Sequence, residues 1–536
     1  MLDTLSSATE ITRARPTLAV LPIGSIEQHS RHLPLGTDWI AATALAHRVG
    51  AELGALVLPA LPMSMGRCHK PMAGTVWLRP MTLADAVTDV IRSLAAAGIR
   101  HVLIINGHGG NFTLEVAARE LNMGSPELTV LLPPMSLRSK GPQIFETAGM
   151  EVHAGESETS VMMAIDASLV GSDRVDYIPP VGREYLDYAL VGDISPEGVW
   201  GKPSLATREK GERAFEARVR GLCEYVRETF ERVAKLKGEA PPVLTPSAGV
   251  SRWMDWGPWA IGAGLNARST TFDVERARPG TAILPVATME AHGPHLPAGT
   301  DLLVVEAVAR RAAQILGDAY LLPTIPFGTS AHVRGLAGTA DFTPDVLRRV
   351  VQDVAIGLHE TGIHRVAIVA GPGLISGNTV VPFGNFILKA AVRQLNHEHP
   401  DMDAIWVQPL AAAGAALGKV FESGADDVHA GEVETSLVMA VRPDAVGDGA
   451  VDHVPAAGRD MIELVTFATL APGGVWGRPS LASKDKGEAA MAAAAEATAA
   501  YVRENFDTLA QMKKRRRGRD QRARVPDGRD PNTMAI

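Results

Sequence analysis

The chain holds only two cysteines, Cys68 and Cys223, in 536 residues. Two thiols cannot build a disulfide framework or a cysteine-rich zinc site. Aromatic residues make up 5% of the sequence, so its cores must be aliphatic. No apolar run approaches the roughly 18 residues that a membrane-crossing helix needs. The opening stretch MLDTLSSATEITRARP lacks the apolar centre of a secretory leader, so a cytoplasmic protein is expected. Hydrophobic residues at 46% and charged residues at 21% exclude disorder, collagen and coiled coil as the main class.

Charge is unevenly placed. The net charge is -8, yet residues 513–524 (KKRRRGRDQRAR) carry eight Lys or Arg against one Asp. The remaining body is therefore strongly acidic, which argues against nucleic-acid binding as the main function. The basic stretch reads as a solvated, disordered end.

Self-comparison organises the rest. VLPIGSIEQHSRHLPLGTD (20–38) recurs as ILPVATMEAHGPHLPAGTD (283–301), and VHAGESETSVMMAI (152–165) as VHAGEVETSLVMAV (428–441). GVWGKPSLATREKGE (198–212) recurs as GVWGRPSLASKDKGE (474–488). One unit has been duplicated in tandem. The expected organisation is a first unit over 1–238, a linker over 239–275, a second unit over 276–512 and a basic tail over 513–536. The linker opens on GEAPPVLTPSAGV, rich in Pro, Gly and Ala, and Trp253, Trp256 and Trp259 after that run read as a packing staple.

Within each unit, short aliphatic runs such as TLAVLPIG and HVLIING alternate with stretches of three-and-four apolar spacing. The runs read as buried parallel strands and the stretches as helices. The expected fold is therefore α/β, a mainly parallel sheet with helices on both faces. Ligands bind such sheets at the carboxyl ends of the strands. The polar strings fall there: Glu27, His29 and Asp38, then Asn106-Gly107-His108, then His153, Glu156 and Glu158.

Imidazoles and carboxylates gathered at strand ends suit a divalent metal such as zinc, iron or manganese. Asp38 alone reads equally as a helix cap, as do Glu156 and Glu158. The recurrence of Glu, His and Asp at identical spacing in both units, with HAGExETS almost verbatim, is what favours metal. A Cys68–His69 nucleophile, the HExxxH string at His359, Glu360 and His364, and the NHEHP string (396–400) read as unrelated to the chemistry. No GxSxG elbow or phosphate-binding loop occurs.

GSIEQHSRHLPLGTD, NGHGGN, HAGESETS and GVWGKPSLATREKG together resemble the signature strings of the creatininase (creatinine amidohydrolase) family, across nearly the whole chain. The resemblance implies a three-layer α/β/α domain in tandem and a site of one or two ions, usually zinc, with iron or manganese as alternatives. It implies hydrolysis of a C–N bond in a cyclic amide, a formamide or a small peptide by a metal-activated water. By position, Glu27, Asp38 and His108 would hold one ion, and His29 with a bridging Asp38 the second. Creatininases proper take a further ligand two residues after the NGH histidine. Gly110 stands there, and Glu158 is the candidate replacement. His153 matches the histidine that protonates the leaving nitrogen, and Glu158 or Glu156 would accept the water proton. The tryptophan that creatininases proper carry shortly before that histidine is missing, against creatinine as substrate.

The second unit keeps Glu290, His292, Asp301, His429 and Glu434, but Pro372 replaces the NGH histidine. It is expected to bind metal weakly or not at all. Other readings stay open: ring opening of a cyclic ketone or lactone, a peptidase, or a non-catalytic binding or scaffold protein. The expected partners are a small-molecule substrate and copies of the chain, with three chains mimicking a hexamer, and no membrane.

Overall fold

The computed structural model describes residues 1–134, 144–247, 249, 251–256, 264–371, 383–458, 461–462 and 465–523. Two parallel sheets form its frame. The first half holds β1 (Leu18–Ile23), β2 (Leu56–Val57), β3 (His101–Asn106) and β4 (Thr129–Leu131), in the order β2-β1-β3-β4. The second holds β5 (Leu265–Asn266), β6 (Thr281–Val286), β7 (Ala319–Leu321), β8 (Arg365–Ala370) and β9 (Asp403–Val407), in the order β5-β7-β6-β8-β9.

The strands are apolar on both faces because both faces are covered. In the first half, Leu18, Val20, Leu103 and Ile105 pack on the helices Thr37–Leu53 and Arg208–Lys237. The alternate residues Ala19, Leu21, Val102 and Ile104 join the core of the helices Pro80–Ala96 and Thr113–Gly124. This period-two division yields the expected three-layer arrangement, twice. Among the described residues, no helix is long and apolar enough to cross a membrane.

The halves share one hydrophobic core, and their contacts are reciprocal. The Arg79 backbone N–H donates to Asp353 at 2.9 Å, and that of Thr343 donates to Asp89 at 2.7 Å. Each helix thus caps the amino end of its counterpart. The amino-terminal arms also cross over. Leu35 and Gly36 donate backbone bonds to Ser269 and Ala267 at 2.9 and 2.8 Å, while Ala298 and Gly299 donate to Ser6 and Thr4 at 2.9 Å each. Behind these contacts lie the arm helices Ala8–Ala14 and Thr271–Ala277, each opened by a capping box. Ile11 lies against Gly338 of the second half, and Val274 against Gly74 of the first.

Two stretches differ from expectation. Residues 239–275, expected as a linker, contain β5 and most of an arm helix, because Ser-Thr-Thr-Phe-Asp is a helix start hidden behind a Pro-rich run. The expected disordered end instead begins as helix, since Lys484–Ala523 runs on through the basic residues. Trp253 is buried in the shared core, whereas Trp259 lies outside the described residues.

Candidate metal centre

The polar strings converge at the carboxyl ends of β1 and β3. Glu27 and His29 follow β1, Asp38 opens the helix Thr37–Leu53, and His108 follows β3. A β-carbon on Gly107 would lie 2.8 Å from the Asp38 carbonyl, so only glycine lets the His108 loop approach that helix. Across the cleft stand His153 and Glu158. The GVWG string explains its own recurrence here: His153 and Trp200 pair through backbone bonds, at 2.8 Å from Trp200 N–H to the His153 carbonyl. Ala154, just after the histidine, has φ +49°, a left-handed conformation of the kind that clusters at functional sites.

Hydrogen bonds set the imidazoles. The Nδ1–H of His29 donates to the Glu27 carbonyl at 3.0 Å. Its Nε2 then faces Asp38 Oδ1 at 3.6 Å and Glu158 Oε2 at 3.9 Å, with no hydrogen-bond partner although fully buried. His108 Nδ1 lies between Glu27 Oε1 at 3.0 Å and Asp38 Oδ2 at 3.1 Å. His153 donates Nε2–H to the Gln28 carbonyl at 2.7 Å, leaving the Nδ1 lone pair 3.9 Å from Glu27 Oε1.

The electrostatics show what is being balanced. Burial alone would raise the Glu27 carboxyl, but His108 and His69 hold it well below its ordinary value. Burial likewise opposes a charge on His29, and Asp38 overrides it to raise that imidazole. Glu158 is pushed up to about 7 by burial and the Asp38 charge, against the pull of His29. His153 stays neutral, held down by burial and by His29 and His69. Three carboxylates thus meet in a buried space that demands positive charge. Protons on imidazoles supply it here, and a divalent cation fits the same demand. The ligand-capable atoms of Glu27, His29 and Asp38, and those of His29, His153 and Glu158, lie within 4.8 Å of one another.

Not every expected residue belongs. Glu156 turns away: its Oε1 meets Lys210 Nζ at 2.6 Å and its Oε2 accepts from Thr147. On a helix, residues two apart point to different sides, so Glu158 enters the cleft and Glu156 anchors the helix Arg208–Lys237. One residue was missed. His69 Nε2 lies 3.1 Å from Glu27 Oε1, while its Nδ1 meets the Gln28 amide at 3.0 Å. That amide is oriented by its contacts with the Ser30 N–H and the Gly198 carbonyl, so Nδ1 accepts and Nε2–H faces Glu27. Its proximity to Cys68 had drawn attention elsewhere. A β-carbon at Gly110 would lie 2.5 Å from His108 Nε2, so a side chain there would displace that ring.

The second half repeats part of this geometry. His292 Nε2 faces Asp301 at 3.4 Å and Glu434 at 3.8 Å, and His429 donates to the Ala291 carbonyl at 2.8 Å. Gly371 repeats the backbone bond of Gly107, each N–H donating at 2.7 Å to the end of the neighbouring strand. The next residue, Pro372, lies outside the described residues, but this register aligns it with His108. Val333 ends its turn where His69 ends the first, with matching 3.0 Å backbone bonds to Ser330 and Gly66. Glu432 repeats the outward lysine contact, at 2.5 Å to Lys486.

Buried imidazoles and carboxylates at the strand ends of a duplicated α/β sheet define a metal-dependent hydrolase class. A family model described as creatininase, creatinine amidohydrolase, matches residues 4–226 and 267–502. The chain belongs to the creatininase family of metal-dependent amidohydrolases. It is 33% identical over 234 residues to the creatinine amidohydrolase of Pseudomonas putida, covering 39% of this chain and 89% of that protein. To the mycofactocin precursor peptide peptidase of Mycobacterium tuberculosis it is 33% identical over 231 residues, covering 40% and 87%. To the 3-dehydro-scyllo-inosose hydrolase of Thermotoga maritima it is 29% identical over 255 residues, covering 42% and 81%. Among solved structures, a creatininase with Mn matches at 30% identity and TM-score 0.36 over 41% of this chain and 93% of that one. A Zn–Zn type creatininase mutant matches at 30% and 0.37 over the same shares.

Proposed function

We propose that the first half hydrolyses an amide-type C–N bond in a cyclic amide, a formamide or a small peptide. The observation that carries this reading is the buried, unpartnered His29 Nε2 aimed between two carboxylates. Glu27, His29, Asp38, His108 and Glu158 would hold one or two divalent ions, zinc first, with manganese or iron as alternatives. Such ions, when bound, acidify a water and polarise the substrate carbonyl.

The chain's own groups handle orientation and protons. Ser25 donates to Glu27 at 2.7 Å and His69 faces it at 3.1 Å, and together they hold that carboxylate. Glu158 stands at the open side of the cleft, with 30% of its side chain exposed, where it can take a proton from an attacking water. The tautomer of His153 sets its order of work. Nε2–H is committed to Gln28, so the site-facing Nδ1 must accept a proton before it can deliver one to a leaving nitrogen.

The similarity to the Thermotoga hydrolase supports a second reading, ring opening of a cyclic ketone, which needs the same polarised carbonyl. Elemental analysis of the intact chain and of His108→Ala tests the site. We expect one or two metals per chain, lost in the variant, together with release of an amine or ammonia from amide substrates. A metal-free intact chain overturns the reading. Turnover of cyclic ketones with no amide cleavage selects the second one.

A further inference from the structure

The stretch between the helices Glu156–Asp166 and Arg208–Lys237 borders the metal cleft on three sides. Tyr177 and Gly201 exchange backbone bonds of 3.0 and 2.7 Å, next to the pair His153 and Trp200. The turn Arg183–Asp187 reaches the His108 loop. The turn Val191–Ile194 lies by Met72, three residues after His69: a β-carbon on Gly192 would sit 3.5 Å from Met72 Cε.

Part of this stretch recurs between the halves. The pattern VDxxPxxGR occupies 175–183 and again 451–459, while the next seven residues have drifted, EYLDYAL against DMIELVT. Asp176 accounts for its own recurrence. It accepts from the Ser204 N–H at 3.0 Å and hydroxyl at 2.6 Å, and Asp452 does the same with Ser480. Arg183 has no such duty. Among the described residues it makes neither an ion pair nor a hydrogen bond. The neighbouring acid Glu184 folds back on Gly182, where a β-carbon would lie 2.2 Å from its Oε2.

The guanidinium instead extends to the cleft. A β-carbon on Gly109, the residue after His108, would lie 3.3 Å from Arg183 Nη2. Both Arg183 and Gly109 are exposed, so they stand at the mouth of the site. Gly109 and Gly110 have no side chains to come between this cation and the His108 ring.

We propose that Arg183 is a specificity-determining residue, whose guanidinium holds a carboxylate of the substrate at the cleft mouth while the scissile amide lies at the metal centre. This rests on the hydrolase reading of the first half. It narrows that reading to amides that also carry an acid group, such as the end of a short peptide or an N-acyl amino acid. A planar guanidinium takes a carboxylate through two parallel N–H···O bonds, and its one charge matches one carboxylate. Water screens the exposed pair, so the preference is modest, about five- to tenfold.

Monohydroxamates of malonic, succinic and glutaric acid test this, because the hydroxamate anchors to zinc and leaves the acid end free. Calorimetry on the zinc-loaded full chain compares each with its neutral primary amide. For at least one length the acid should bind about five- to tenfold tighter, less so at high salt. Arg183→Gln should abolish the preference and Arg183→Lys keep part of it, both at the parent's zinc content and melting temperature. Equal binding of acid and amide at every length, or a preference that survives Arg183→Gln, overturns the proposal and leaves the metal centre standing. Hydroxamates that fail to bind the zinc-loaded chain at all overturn the metal centre, and this proposal with it.

Discussion

Glu27 and Glu290 follow matching strands in matching sequence, yet their carboxyls shift in opposite directions. Glu27 is held well below the ordinary value, and Glu290 is raised. Burial pushes both upward. The difference is what stands over them: His108 and His69 face Glu27, whereas Val333 ends the second-half turn that His69 ends in the first. Over Glu290, burial outweighs the pull of His332, and Asp301 adds to the rise against the smaller pull of His292. The second half keeps its carboxylates together with His292 and His429, but it has no histidine aligned with His69 or with His108.

The sharpest way to break the comparison is to turn the first half into the second. His69→Val combined with His108→Pro should lower kcat/KM at least about a thousandfold, roughly 4 kcal/mol of transition-state stabilisation, and abolish metal uptake there. Glu290→Gln should leave both within twofold. Steady-state kinetics and elemental analysis of the two variants decide the matter. Equal losses would show that both halves carry chemistry.

A second contrast lies behind the sites. His47 in the first half corresponds to Arg310 in the second. Burial pulls His47 down to about 4, with only Asp3 opposing, and neither ring nitrogen has a hydrogen-bond partner. The unfolded imidazole, near 6.5, takes up its proton first as pH falls. Stability is therefore full above about 6.5 and is lost progressively towards 4, by up to about 3 kcal/mol. Arg310 instead pairs with Glu306 at 3.2 Å. Denaturant unfolding at pH 7.5 and 4.5 should show a smaller acid loss in His47→Leu than in the parent chain. An unchanged loss would remove His47 from the account.

The arms give the third contrast. Ile11→Ala should destabilise the chain by about 3 kcal/mol and Val274→Ala by about 2 kcal/mol. Only the second loosens the support of the Leu35–Gly36 loop between His29 and Asp38. Val274→Ala should therefore weaken metal binding in the first half, while Ile11→Ala should spare it. Equal effects on metal affinity would mean that the arms serve stability alone.

The alternating apolar runs announced both sheets, and the repeated strings announced Glu27, His29, Asp38, His153 and Glu158 as one group, to which the strand-end NGH string added His108. Other features stayed hidden for specific reasons. His69 has no histidine at its aligned position, since His332 sits one residue earlier, so self-comparison passed over it. Glu156 and Glu158 recur equally well, and only the helix start at Glu156 decides which one enters the cleft. The recurrence of Lys210 as Lys486 carried the clue to Glu156's partner. The arms repeat too, SSATEI against STTFDV, but no local pattern tells a helix which half it will join.

The crossed arms have a consequence for stoichiometry. Separate polypeptides for the two halves would mix at random, giving two like-paired assemblies and a hybrid. A single chain whose halves each hold the other's loop admits only the hybrid. Every molecule then carries one copy of each half, in a ratio set by synthesis rather than by concentration.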